Sequence, residues 1–143
     1  MLAEISNRCD IVEECYEFLL AYAAQGLPSD QGSKSGAQVR ESLQNAVKAL
    51  TGLAEICALA VKEEGLEPAA KYAAFLAVLD RDSRDSLAAI ELVLAQPVIS
   101  SQLIDNLNAS IHLRALLTDL FLLDEILGKR VKPAEQVVTN KGD

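Results

Sequence analysis

Residues 101–127 read SQLIDNLNASIHLRALLTDLFLLDEIL, and this stretch decides the fold that we predict for the chain. On a 3.6-residue period it is one long helix, capped by Ser100 or Ser101 and ended by Gly128. Its apolar stripe changes side at Arg114. The first half carries Leu103, Ile104, Leu107 and Ile111. The second half carries its apolar residues on the opposite side: Leu113, Leu116, Leu117, Leu120, Phe121, Leu122, Leu123, Ile126 and Leu127.

A helix that is apolar over most of its circumference must be buried on several sides, whereas a small helical bundle buries only one side of each helix. We therefore predict a homodimer, formed through the second half of this helix by Leu113, Leu116, Leu117, Leu120, Phe121, Leu123 and Leu127. The alternative is a bend in the helix that lets both halves share one core. A polar line crosses the second half and either faces solvent or sets the register of a helix interface: Arg114, Thr118 and Glu125.

Composition predicts a globular, all-α protein. Of the 143 residues, 50% are hydrophobic and 24% charged, a balance typical of folded chains. Alanine and leucine supply much of the apolar share, and both favour helices. We predict one domain over residues 1–128, large enough to bury a core without metals or disulfides, and a flexible tail over 129–143.

The net charge of −8 bears on partners and location. It disfavours nucleic acid and anionic membranes, which select basic surfaces, and it fits a basic protein partner. Neither a signal peptide nor an apolar run long enough to span a membrane is evident, so we predict a cytoplasmic protein. Cys9, Cys15 and Cys57 lack metal-ligand spacing and are interpreted as small core residues in a reducing compartment.

Apolar periodicity predicts three further helices, over residues 3–24, 37–64 and 68–95. With the helix over 101–127 they form an elongated, up-down-up-down four-helix bundle. Gly52 lies off the apolar seam of the second helix, so we expect that helix to continue through it. Short connections favour antiparallel neighbours.

The third helix contains the polar run DRDSRDS, residues 80–86, which would suit a break between two helices. The apolar phase continues across it, so we favour one helix, with Ser83 and Ser86 facing the core and bonding back to the preceding turn. Two helices with a hinge is the alternative. A small-molecule sensor, with a ligand between helices near these serines, is one functional hypothesis.

The first helix carries an acidic stripe, a candidate acidic binding face made of Asp10, Glu13, Glu14 and Glu17. The Glu-x-x-Glu pair of Glu14 and Glu17 resembles one found in the all-helical nucleotide pyrophosphohydrolases, and this resemblance implies a Mg²⁺-dependent hydrolase. That family adds a Glu-x-x-Asp pair, for which the chain offers only Asp82 and Asp85 at the right spacing. A solvated acidic surface is the alternative interpretation.

No other catalytic set is apparent from the sequence. A di-iron bundle needs Glu-x-x-His pairs, but His112 is the only histidine and Ala109 lies three residues before it. We interpret His112 as a surface or interface residue, and we predict neither a cofactor nor a metal site. The favoured function is a non-catalytic helical interaction module, an adaptor, chaperone or regulatory subunit, with the hydrolase and the sensor as alternatives.

Overall fold

The computed structural model describes the backbone of residues 1–142 and the side chains of residues 1–128. This part of the chain is all-helical and contains no strand, which confirms that the protein is all-α as predicted. Its six helices are α1 (Leu2–Ala24), α2 (Lys34–Leu50), α3 (Leu53–Glu63), α4 (Ala69–Leu94), α5 (Ser101–Asn108) and α6 (Ile111–Gly142). All six pack around one cluster of buried apolar side chains, and α1 contacts α2, α3, α5 and α6.

The predicted helix over residues 37–64 is wrong at its centre, because the chain breaks there into α2 and α3. Thr51 is extended and Gly52 has a φ of 75°, a left-handed conformation that glycine adopts without strain. Arg8 of α1 stabilises the break by donating hydrogen bonds to the carbonyls of Ala49 (3.3 Å) and Thr51 (2.7 Å). These carbonyls belong to the last turn of α2 and its cap, where helical partners are lacking.

The predicted helix over residues 101–127 is likewise two helices. Helix α5 ends at Asn108, and Ser110 starts α6 by accepting hydrogen bonds from the amides of His112 and Arg114. This break explains the change of apolar side in the sequence, since each helix turns its own stripe to the same core. The alternative of a bend with a shared core is therefore the right one.

The C-terminal end of α6 also differs from the prediction. The helix continues to Gly142, so Gly128 does not end it. The side chains of residues 129–143 lie outside the described part of the chain, and the flexibility that we predict for this segment stays a prediction.

Helix α4 is continuous from Ala69 to Leu94, as predicted, and Ser83 and Ser86 are buried on its inner side. Their expected bonds to the preceding turn are not formed. The Ser86 hydroxyl instead donates to the carbonyl of His112 at the start of α6 (3.0 Å), whereas the Ser83 Oγ has no hydrogen-bond partner in the protein.

Candidate functional site

The leucines predicted as a dimer interface are buried within their own chain. Six of the seven predicted interface residues are enclosed by the core: Leu113, Leu116, Leu117, Leu120, Leu123 and Leu127. Helices α1, α4 and α5 pack against α6 and supply this cover. The predicted interface is therefore wrong for these six residues, and of the predicted set only Phe121 remains at the surface.

A different surface of α6 stays uncovered by the described residues. Phe121, Leu122 and Ile126 are 54%, 50% and 48% exposed, and Ile111 is more exposed still. The residues of the predicted polar line are exposed on the same side: Arg114, Thr118 and Glu125. At 100° per residue these seven positions span an arc of about 140°. We call this surface the α6 outer face.

The acidic stripe of α1 divides into two parts. Asp10 and Glu13 meet Asp124 of α6, and one carboxylate oxygen from each lies within 4.8 Å of the others. The hydroxyl of Ser6 donates a weak hydrogen bond to Asp124 (3.5 Å). Asp124 was missed by sequence reasoning because its approach depends on how α6 packs on α1.

Glu14 and Glu17, the two residues of the Glu-x-x-Glu resemblance, are exposed and do not belong to this cluster. Glu14 instead lines an open groove of about 720 Å³ between α1 and α2. The groove has an apolar floor that includes Ile11 and Phe18, and its rim carries both acidic and basic side chains: Glu4, Glu14, Glu41, Arg8 and Lys48. Within the described residues, neither Glu14 nor Glu17 belongs to a group of three carboxylates close enough to share a magnesium ion.

A smaller cavity of about 180 Å³ lies where the α2–α3 break meets α4. Leu50, Leu53 and Leu87 form apolar walls, and Ser83 lies at the edge of the core. The charged side chains around the cavity are Glu55, Asp80 and Arg84. The apolar phase of α4 indicated that Ser83 faces the core, but the helix break that opens this cavity had no signal in the sequence.

Two aspartates come together where α4 packs against α6. Asp119 of α6 is 7% exposed, and its Oδ2 has no hydrogen-bond partner in the protein. Burial, and after it the neighbouring carboxyl group of Asp82 on α4, raise the pKa of the Asp119 carboxyl from 3.8 to about 7. The helical period of the sequence could have identified Asp119 as a core-facing residue. Leu116 lies three residues before it and Leu123 four residues after it, so all three share one side of the helix.

The three cysteines are buried free thiols, as their interpretation as core residues requires. Burial raises the pKa of Cys9 and of Cys57 to about 12, and it raises the pKa of Cys15 as well. A cysteine reacts as a nucleophile in its thiolate form, and burial disfavours that form at all three of these positions. His112 is exposed, as expected for a surface residue, with its Nδ1 3.8 Å from the Asp85 carboxylate.

Compared with protein families, with curated proteins and with solved structures, the chain shows no match. Within the described residues, every helix is too short or too polar to cross a membrane.

Proposed function

We propose that this protein is a non-catalytic helical interaction module that self-associates through the α6 outer face. The supporting observation is the cluster of half-exposed Phe121, Leu122 and Ile126 on one helix. Contiguous apolar surface of this kind is typical of protein–protein contacts, whereas singly scattered apolar residues are not informative. This surface replaces the leucines of the predicted interface, which the core already encloses.

The charges on the α6 outer face favour a second copy of the chain as the occupant. Arg114 and Glu125 lie about 16 Å apart along the helix, on either side of Thr118 and Phe121. In an antiparallel pair with a two-fold axis near residues 119 and 120, each Arg114 faces the Glu125 of the other copy. The same axis brings Ile111 towards Ile126. A two-fold interface requires this self-complementarity.

A charge-reversal cycle tests the proposal, read by size-exclusion chromatography with light scattering. We expect a dimer for the native chain and about a tenfold or greater loss of dimer affinity for Arg114→Glu and for Glu125→Arg, since each places like charges opposite one another. The double variant Arg114→Glu with Glu125→Arg restores opposite charges and should recover the dimer.

Arg81→Glu is the matched control, because Arg81 is an exposed arginine on α4, away from the α6 outer face. It should leave the dimer unchanged. Glu125 also interacts within its own chain, so thermal melts of all variants are needed to separate folding from assembly. A monomeric native chain, or a double variant no better than the singles, contradicts the proposal.

We further interpret the fold as an up-down-up-down four-helix bundle. In this interpretation α2 and α3 together form one bent helix of the bundle, and α5 and α6 together form another. The net charge of −8 supports a basic protein as a further partner. An adaptor, chaperone or regulatory subunit in the cytoplasm is the role that these features fit. The hydrolase alternative has less support, because Glu14 and Glu17 lie apart from the acidic cluster.

A further inference from the structure

The open groove between α1 and α2 follows two neighbouring antiparallel helices. At one end, Arg8 near the start of α1 donates hydrogen bonds to the carbonyls of Ala49 and Thr51 at the end of α2. Midway along the groove, the side chains of Cys15 on α1 and Ser42 on α2 are hydrogen-bonding neighbours. The numbering therefore rises along α1 as it falls along α2, and the groove follows the common direction of the two helices.

The lining of this groove repeats every seven residues on both helices. Each lining residue has another one seven positions before or after it, as Ile11 has Phe18 and Glu41 has Lys48. A third helix matches this period, because helices that pack at about 20° present side chains at a 3.5-residue spacing. From Glu4 to Phe18 the groove is about 21 Å long at 1.5 Å per residue, the length of four helical turns.

Shape favours a helix that is only half enclosed. Both walls of the groove are helices whose backbone groups are already paired, so an extended peptide would find no ladder of partners, whereas a helix pairs its own backbone. A helix about 21 Å long and about 10 Å across occupies about 1,600 Å³. The groove offers about 720 Å³, so it takes one side of such a helix and leaves the other side in water. The occupant is therefore amphipathic.

The floor of the groove is apolar. Ile11 and Phe18 are half-buried and pack on the core, and the buried Cys15 and Ala49 complete the floor. An apolar stripe on the docked helix would remove the remaining surface of Ile11 and Phe18 from water, which is favourable.

The two rims of the groove carry charges that the chain does not neutralise. Glu14 lies on the α1 rim, and Glu41 and Lys48 lie on the α2 rim, all three exposed. Among the described residues these three side chains form no ion pair. Arg8 differs from them, because its guanidinium is already held by the Glu4 carboxylate at 3.2 Å and by the carbonyls at the end of α2.

The position of these charges specifies a pattern on the docked helix. Glu14 and Glu41 each directly precede one of the two neighbours Cys15 and Ser42, so they stand on opposite rims at the same level of the groove. A helix between them meets a carboxylate on each side, which favours a basic residue on each side of its apolar stripe. Lys48 lies one heptad further along the α2 rim, about 10 Å away, and favours an acidic residue there.

We propose that the α1–α2 groove binds an amphipathic helix of a partner protein. Its apolar stripe packs on Ile11 and Phe18, two basic residues flank this stripe over Glu14 and Glu41, and one acidic residue lies a heptad away over Lys48. This inference rests on the proposed role as an interaction module and gives its basic partner a binding site. Among the described residues, none from α6 lines the groove, so the partner helix and a second copy of the chain use different surfaces.

A synthetic helix is the probe. It is an alanine-based peptide of about 18 residues, acetylated and amidated, because shorter isolated helices are marginal. It carries leucines at the a and d positions of its heptads, lysines on both sides of this stripe in one heptad and a glutamate in the next. Titrated into the full chain, it should bind one to one by calorimetry, with saturable amide shifts at residues 8–18 and 38–48. Serines in place of the leucines should weaken binding about tenfold or more.

A charge-reversal cycle tests the two rims. Glu14→Lys with Glu41→Lys should weaken binding of the lysine peptide about tenfold or more. The same double variant should bind instead a peptide in which glutamates replace the two lysines. Glu64→Lys with Glu91→Lys is the matched control, because it changes the net charge equally at exposed glutamates outside the groove. It should bind the lysine peptide as the native chain does.

Phe121→Glu separates this inference from the proposed self-association. This variant alters the α6 outer face and should bind the lysine peptide as the native chain does, so a monomeric chain that binds the peptide would overturn only the dimer. Shifts that do not saturate, equal binding of the glutamate peptide by the native chain, or an equal loss of binding in the control pair would each overturn the groove as the partner's site. Shifts in the groove on concentrating the chain without peptide would assign it to a second copy and overturn the proposal as well.

Discussion

The carboxyl group of Asp119 on α6 lies beside that of Asp82 on α4, in a part of the interior where Asp119 is almost fully buried. Burial and this neighbour raise the pKa of Asp119 from 3.8 to about 7. The folded state therefore holds the Asp119 proton more tightly than the unfolded state does. Its contribution to stability is complete below about pH 4 and is lost as the pH rises through 7.

Asp119→Asn should remove this pH dependence. We expect the variant to exceed the native chain by about 2–4 kcal/mol in free energy of unfolding at pH 8, with a much smaller difference at pH 4. Urea unfolding at a series of pH values measures this difference. Asp105→Asn, an exposed aspartate on α5, serves as the control. Parallel pH profiles for Asp119→Asn and the native chain would show that Asp119 does not hold a proton in the fold.

Gly36→Ala should destabilise the protein, although alanine normally stabilises a helix relative to glycine by about 1 kcal/mol. Gly36 lies in the first turn of α2, and a Cβ there would overlap the backbone carbonyl of Asp30. The loop before α2 would have to move, at a cost of about 1–3 kcal/mol. Gln38→Ala, exposed on the same helix, should be close to neutral by thermal unfolding. A stabilising Gly36→Ala would contradict the contact with Asp30.

Asp30 links the α1–α2 loop by hydrogen bonds to α2 and to the segment that follows α4. Its carboxylate accepts hydrogen bonds from Arg40 Nε (2.7 Å) and from the Ile99 amide (2.8 Å). Arg40 also donates to the carbonyls of Leu94, Gln96 and Pro97. Burial acts to raise the pKa of Asp30, but these two hydrogen-bond donors outweigh it and hold the pKa below 3.8.

Asp30→Ala should therefore cost about 2–4 kcal/mol at pH 7, because it leaves Arg40 without its partner and the Ile99 amide unbonded. A depressed folded-state pKa stabilises above the unfolded pKa, so the difference from the native chain should shrink as the pH falls below about 4. Urea unfolding at pH 7 and pH 3 measures both effects. Gln31→Ala, at an exposed position next to Asp30, is the neighbouring control. A loss of stability that stays the same at both pH values would mean that the charge of Asp30 is not involved.

The sequence predicts α1 and α4 well because their apolar phase is unbroken and each is bounded by clear end signals. It does not predict the break at Gly52, because Val47 and Cys57 remain in phase across it. That break depends on Arg8, a residue of another helix, which bonds the carbonyls at the end of α2. Such a contact has no local signature.

The break between α5 and α6 did leave a signal in the sequence. The apolar side changes near Arg114 because α5 and α6 are separate helices, but the same pattern also suits one helix buried on two sides. Periodicity alone cannot separate these cases. The candidate sites depend even more on tertiary packing, since Asp124 joins Asp10 and Glu13 across helices and Ser83 meets the α2–α3 break.

Leu120 and Phe121 are sequence neighbours with opposite surroundings, since Leu120 is 0% exposed and Phe121 is 54% exposed. Leu120→Glu should unfold the chain, because it places a carboxylate in the core, at a cost of several kcal/mol. Phe121→Glu should change the free energy of unfolding of the monomer by less than about 0.5 kcal/mol and should abolish the dimer.

Circular dichroism melts of dilute protein measure folding, and light scattering of concentrated protein measures assembly. Leu59→Glu is the matched control for Phe121→Glu, because Leu59 is 53% exposed but lies on α3, away from the α6 outer face. It should remain both folded and dimeric. A folded Leu120→Glu variant would contradict the burial of the predicted interface leucines, and a dimeric Phe121→Glu variant would exclude the α6 outer face as the contact between copies.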